Sequence, residues 1–192
     1  MLKILSSALL YTALSLTAIP AAAQDLIALN ALREGDLRKL NFHDTPQEVS
    51  QLSFADLDGN VETLADYEGK LVILNFWATW CFPCREEMPA FDQLSAAYAD
   101  QDFVVLPIAS GHNPVPAIKK FYANAGIEHL PIRIEPTGKL AAEMGVRAFP
   151  GSFIISPNGK EIASLVGDAE WFSDSAQAIV EELLGSYTET DG

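Results

Sequence analysis

Hydrophobic and polar positions follow three different rhythms along this chain, and each rhythm predicts an element. The run KLVILNFWA, Lys70 to Ala78, is apolar at nearly every position and rich in β-prone residues. That continuity predicts a strand buried on both faces, at the centre of a sheet covered by helices. Phe103 to Ile108 repeats the pattern. A helical rhythm places Phe91, Leu94, Ala97 and Tyr98 on one face of Pro89 to Tyr98. Val115 to Asn124, Lys139 to Met144 and Asp174 to Leu184 are expected to be helices as well. Asp25 to Leu40 has leucines at roughly helical spacing, weakened by Gly35, and predicts one or two short helices on the domain edge.

The third pattern is short extended runs broken by turn signals. Gln51 to Leu64 alternates around Asp58-Gly59-Asn60, and Phe153 to Ser156 and Lys160 to Val166 flank Pro157-Asn158-Gly159. Both read as extended runs joined by turns. The resulting order is strand, helix, strand, helix, hairpin, helix. It predicts an α/β fold with a mixed central sheet, helices on both faces and an N-terminal hairpin extension.

The N-terminus breaks from all three rhythms. Lys3 precedes an apolar run from Ile4 to Ile19, followed by Pro20 and Ala21-Ala22-Ala23. These are the n-region, h-region and small-residue site of a secretory leader, with cleavage expected after Ala23. The run is shorter than the roughly 20 residues that span a bilayer comfortably, and an uncleaved anchor is the alternative. The expected division is a signal peptide over 1–23, a helical extension over 24–50, the main domain over 51–187 and a polar tail over 188–192. The mature chain is expected outside the cytoplasm, where disulfides form.

Composition narrows the function. Apolar residues make up 49% of the 192 positions and charged residues 20%, a globular balance. The formal charge is -14, and loss of the leader with its single Lys3 makes it -15. Such a surface repels phosphate backbones, so nucleic acid is not an expected partner.

The chemistry lies in WATWCFPC, Trp77 to Cys84, which holds the chain's two cysteines. They sit where the central strand ends and a helix begins, with Pro83 suited to the first helical turn. A thiolate at Cys81 would face the unpaired amides and positive end of that helix, which lowers a thiol pKa. Cys84 is close enough in sequence to resolve a mixed disulfide formed by Cys81. A structural bridge closing so short a loop would remove little chain entropy, and a zinc site would need a second cysteine pair. Cu(I) held by both thiolates, with His112 approaching, stays open as an alternative. His43, His112 and His129 have no ligand spacing among themselves. A binding module whose cysteines are incidental is the third possibility.

FWATWCFPCREEMP, with the Gly69-Lys70 lead-in, resembles the thioredoxin superfamily and, more narrowly, the TlpA/ResA-like thiol–disulfide oxidoreductases. The DLDG turn, LADYEGK and GKEIASLVGDAEW carry the resemblance from about Leu52 to Leu184. It implies a thioredoxin fold and a cis-proline loop facing the cysteines, at Phe149-Pro150. In such proteins the backbone before the proline pairs with the substrate chain like an added strand. Trp80, Phe82, Pro83, Phe149 and Pro150 are accordingly the expected substrate contacts, whereas Phe76 and Trp77 read as core.

The resemblance also assigns Cys81 the attack and Cys84 the resolution. Glu87 matches a glutamate near the thiols, which could relay protons or raise a cysteine pKa; alone, it reads equally as a solvated acid in a first helical turn. Three departures from thioredoxin itself stand out: Asn75 replaces a buried aspartate, Gly151-Ser152 replaces a Thr/Ser pair, and Phe149 is bulky. The implied activity is reduction of disulfides in periplasmic partner proteins, by a monomer without cofactor that a membrane thiol donor recharges. The implied settings are cytochrome c maturation or copper-oxidase assembly.

Overall fold

The computed structural model describes residues 21–188. The expected leader lies outside these residues except for its last three positions, as does most of the expected tail. Among the described residues no helix is long and apolar enough to cross a membrane.

One eight-stranded sheet organises the chain. In chain order its strands are β1 (Asn41–Glu48), β2 (Phe54–Ala55), β3 (Val61–Glu62), β4 (Leu71–Trp77), β5 (Phe103–Ser110), β6 (Arg133–Glu135), β7 (Gly151–Ile155) and β8 (Lys160–Val166). Across the sheet they lie in the order β1-β8-β7-β4-β5-β6-β2-β3. The helices are α1 (Ala21–Ala31), α2 (Phe82–Ala97), α3 (Val115–Ala125), α4 (Lys139–Glu143) and α5 (Asp174–Thr188). The sheet is therefore mixed: β4, β5 and β6 are parallel, β7 runs against them, and β8, antiparallel to β7, runs with them again.

β4 is central because every residue in it is buried, and only Asn75 among them is polar. Its odd and even positions face opposite ways. Leu71, Ile73 and Trp77 join α2, α3 and α5 in one core cluster. Val72, Leu74 and Phe76 join Leu140, Met144, Phe54 and Phe153 in the other. The crossovers β4–α2–β5 and β5–α3–β6 step across the sheet in the same direction, so both helices fall on one face. Asn75 is an odd position and faces that same side.

The extension departs from expectation. Helix α1 and a short 3-10 helix, Gly35–Lys39, fill the first part of 24–50, but Asn41–Glu48 is a strand rather than helix. It pairs antiparallel with β8. Phe42 goes into the core, and His43 Nε2 lies 2.7 Å from Glu161 Oε1 of β8. Local polarity gave no strand signal there; pairing with an open sheet edge decides the outcome. Pro46 fits such an edge, where its missing N–H faces no partner strand. The Gln51–Leu64 hairpin is present as β2 and β3, turned by Asp56, whose Oδ1 accepts from the N–H groups of Asp58 and Asn60. Its strands are two residues each, and β2 joins the sheet through β6, a strand the hydrophobic rhythm did not predict.

Candidate active site

The topology gathers one set of chain ends. β4, β5 and β6 finish at the same edge where β7 begins and β8 ends, and Gly151 pairs with both Phe76 and Val166. Cys81 is the N-cap of α2 at that edge. Its Sγ accepts a hydrogen bond from the Cys84 N–H at 3.3 Å, so the sulfur lies against the helix's free amides as the sequence predicted. Cys81 and Cys84 form a disulfide. Cys81 is 5% exposed and Cys84 not at all, so Cys81 is the member of the pair that keeps some access to solvent.

The loop before Cys81 is held from the side. Asn113 Oδ1 accepts from both the N–H and the hydroxyl of Thr79, at 2.7 and 3.0 Å, while its Nδ2 donates to the Ser110 carbonyl. Sequence reading missed this clamp, because nothing local marks an asparagine 34 residues away.

The flanking residues divide as expected by exposure. Trp80 and Phe82 are 66% and 63% exposed, against 0% for Phe76 and 1% for Trp77. Pro83 is exposed and Phe149 half-buried. The Phe149–Pro150 peptide is cis, and Pro150, one residue before Gly151, comes level with the end of β4. Trp80 and Phe149 rings lie 5.7 Å apart, and together with Val146, Arg147 and Ala148 they line a groove of about 330 Å³.

Beneath the cysteines is a buried polar network. Glu87 is one helical turn after Cys84, on the same face of α2, and only 3% exposed. It is not a solvated first-turn acid. Asn75 Nδ2 donates to Glu87 Oε1 at 2.9 Å and to Ser152 Oγ at 3.0 Å. Glu87 Oε2 accepts from the Ala169 N–H and the Trp171 indole N–H, both at 3.2 Å. Burial pushes the Glu87 carboxyl up to about 8, against the opposing pull of these three donors, and the negative charge of Asp168 adds to the rise.

Asn75 Oδ1 is buried without a hydrogen-bond partner. The amide can therefore serve either state of Glu87. It donates through Nδ2 to the carboxylate or, turned over, accepts through Oδ1 from the protonated acid. An ionised aspartate at position 75 could only accept. Ser152, Ala169 and Trp171 escaped sequence reading, since their roles depend on strand register and on contacts more than 70 residues apart in the chain.

Among the described residues no group of three or more His, Cys, Asp or Glu could hold a metal ion. His112 is exposed and does not complete such a group with the cysteines.

Comparisons with known proteins agree with this geometry. The AhpC/TSA family profile matches residues 45–162. A thiol-disulfide oxidoreductase ResA from Bacillus thuringiensis (strain Al Hakam) is 32% identical over 122 residues, covering 64% of this chain and 69% of that protein. Among solved structures, a thioredoxin-family thiol:disulfide interchange protein from Chlorobium tepidum TLS superposes with a TM-score of 0.61 at 30% identity. The match covers 73% of this chain and 98% of that one. The pneumococcal exposed lipoprotein thioredoxin Etrx1 from Streptococcus pneumoniae strain TIGR4 gives 0.57 at 32% identity, covering 70% and 98%.

Proposed function

The chain belongs to the AhpC/TSA family and is a thiol–disulfide oxidoreductase of thioredoxin fold; on that premise we propose that it reduces disulfides in partner proteins outside the cytoplasm. The observation that carries this reading is the Cys81–Cys84 pair at the start of α2, with Cys81 the more accessible residue and a buried glutamate one turn beyond Cys84.

In the reduced protein, the Cys81 thiolate attacks one sulfur of a substrate disulfide. A Cys81–substrate bond forms, the substrate S–S bond breaks, and the first substrate thiolate leaves. Glu87, as carboxylate, takes the proton of Cys84. The Cys84 thiolate then attacks Cys81 Sγ, releases the second substrate thiolate and leaves the Cys81–Cys84 disulfide. Two electrons pass to the substrate, and its two thiolates take up protons. A base with a pKa of about 8 is well matched to a thiol.

The same group supports the reducing direction. Strong oxidants of this kind owe their potential to a stabilised reduced, thiolate form. Glu87 in its carboxylate form disfavours a thiolate beside it, and in its neutral form adds no positive charge to stabilise one, which moves the balance toward reduction of others. Trp80, Phe82, Pro83 and Phe149 would form the contact surface, with Pro150 buried behind it and the 147–149 backbone taking the substrate chain as an added strand. The setting supported by the family resemblance is periplasmic, in cytochrome c maturation or copper-oxidase assembly, with a membrane thiol donor recharging a monomeric protein. A lipoprotein among the similar structures is named as exposed, which supports the extracytoplasmic placement.

Equilibration against a dithiothreitol or glutathione series tests the direction. A potential near that of thioredoxin, about -270 mV, is expected, and one near -120 mV would overturn the reductant reading. Cys81→Ser should lose all exchange activity. Cys84→Ser should accumulate mixed disulfides from which substrates can be identified. Stoichiometric Cu(I) retention without disulfide exchange would favour the copper-binding alternative instead.

A further inference from the structure

Charge is distributed unevenly around the site. Three surface segments meet at the cysteine edge: residues 78–85, 110–126 and 144–151. None of them contains an Asp or Glu, in a chain with 26 such residues. They carry Arg85, Lys119, Lys120 and Arg147, four positive charges, which leaves -18 on the rest of the chain. Among the described residues none of the four has a carboxylate within ion-pair distance, whereas Lys39, Lys70, Arg133 and Lys160 all do. The acids that adjoin these segments in sequence, Glu86 and Glu143, lie outside them. Asp168 belongs to the β8–α5 connection on the Glu87 side.

Two of the four cations shape a specific concavity. Thr79, Arg85, Lys120 and Asn124 rim a trough of about 460 Å³ floored by Phe121. It borders the cysteine loop through Thr79 and the first turn of α2 through Arg85, whose guanidinium stands 6.0 Å from the centre of the Phe82 ring. Cys81 thus lies between two unlike flanks. One is the groove of Trp80 and Phe149, which carries the single charge of Arg147; the other is this trough, which carries two, Arg85 and Lys120. The Asn113 clamp on Thr79 holds the boundary between them.

We propose that the trough receives a carboxylate side chain of the substrate polypeptide, so that disulfides flanked by acidic residues are preferred. This rests on the exchange reading above and specifies its substrate class. The reasoning is charge complementarity: a cationic mouth on an otherwise anionic surface attracts an acidic segment locally and orients it, while the remaining surface repels wrong approaches. Two exposed charge pairs correspond to roughly a threefold to tenfold preference. The preference should weaken as salt shortens the screening length.

The test uses the reduced full-length protein and three disulfide peptides identical except for two flanking residues, both Glu, both Gln or both Lys. Second-order reduction rates are read at low salt and at about 0.5 M salt, where screening is nearly complete over a few ångströms. The expected order is Glu, then Gln, then Lys, spanning about tenfold and contracting in salt. R85Q/K120Q should level the order. K70Q, which removes the same kind of charge far from the trough, should preserve it. Equal rates for the three peptides, a Lys-first order, or levelling by K70Q would each overturn the subsite while leaving exchange standing. Failure of the wild type to reduce even the Gln peptide would instead strike the exchange reading itself.

Discussion

Helix α2 buries two carboxylates five residues apart, and they are built in opposite ways. Asp92 Oδ1 accepts three backbone N–H groups, from Glu128, His129 and Leu130, at 3.1, 2.7 and 3.1 Å. Those donors belong to the chain path and cannot turn. Glu87 accepts one backbone N–H, one indole N–H and one side-chain amide. The amide of Asn75 can turn, and its free oxygen supplies an acceptor when the acid is protonated. The first arrangement pins a loop with donors that cannot rearrange; the second can follow its acid through either protonation state. Burial alone does not mark a carboxylate as chemical, whereas the adaptability of its partners does.

The largest effect expected from breaking this contrast is at Asp92. Asp92→Ala leaves one buried and two part-buried N–H groups without their acceptor and should cost about 2–4 kcal/mol of stability. Chemical denaturation measures it, and the exchange rate per folded molecule should stay within about twofold of wild type. A large loss of exchange without a loss of stability would erase the distinction between the two acids.

Glu87→Gln should act the other way round. The resolving step in the wild type accelerates as pH rises toward about 8, because the base form of Glu87 grows over that range. The variant should lose this limb and run about tenfold to a hundredfold slower near pH 7, with rates converging above pH 9. Stability has a defined sign too. The folded state keeps the Glu87 proton up to about 8, while the unfolded chain releases it near its ordinary carboxyl value. Stability conferred by the neutral acid is thus complete at low pH and declines as pH rises through that window. Gln, neutral throughout, should remove the decline. Denaturant midpoints at pH 5 and pH 9 check this, and equal slopes in both proteins would sink it.

The contrast also shows what the sequence could disclose. β4 and α2 were legible because their evidence is local: an unbroken apolar run, a proline suited to a first turn and a helical stripe. The cysteine pair followed from that junction, and the proline loop at Phe149-Pro150 from family resemblance. β1 was not legible, since Asn41–Glu48 becomes a strand only by pairing with β8. The partners of Glu87 were equally hidden. Asn75 meets Ser152 through the β4–β7 register, and Trp171 reaches Glu87 across 84 residues of sequence. Position 87 could be named from sequence, but its burial could not, and burial is what separates a proton relay from a surface acid.

The smallest expected effect is the most discriminating. Trp171→Phe removes the indole N–H from Glu87 Oε2 while keeping an aromatic ring against Phe91, where the rings now stack with centroids 5.0 Å apart. At pH 6 the acid is neutral and the missing bond should cost about 1 kcal/mol. At pH 9 the acid is a carboxylate, and losing a donor to a charged group should cost roughly 1.5–3 kcal/mol. Because the anion loses more than the neutral acid, its pKa must rise above the wild-type value of about 8. The midpoint of the pH-dependent resolving limb should therefore move upward in Trp171→Phe, with little change in the rate above it. A purely structural role for Trp171 would lower stability equally at both pH values and leave the midpoint where it was. In that case the titrating group of the limb would have to be something other than Glu87.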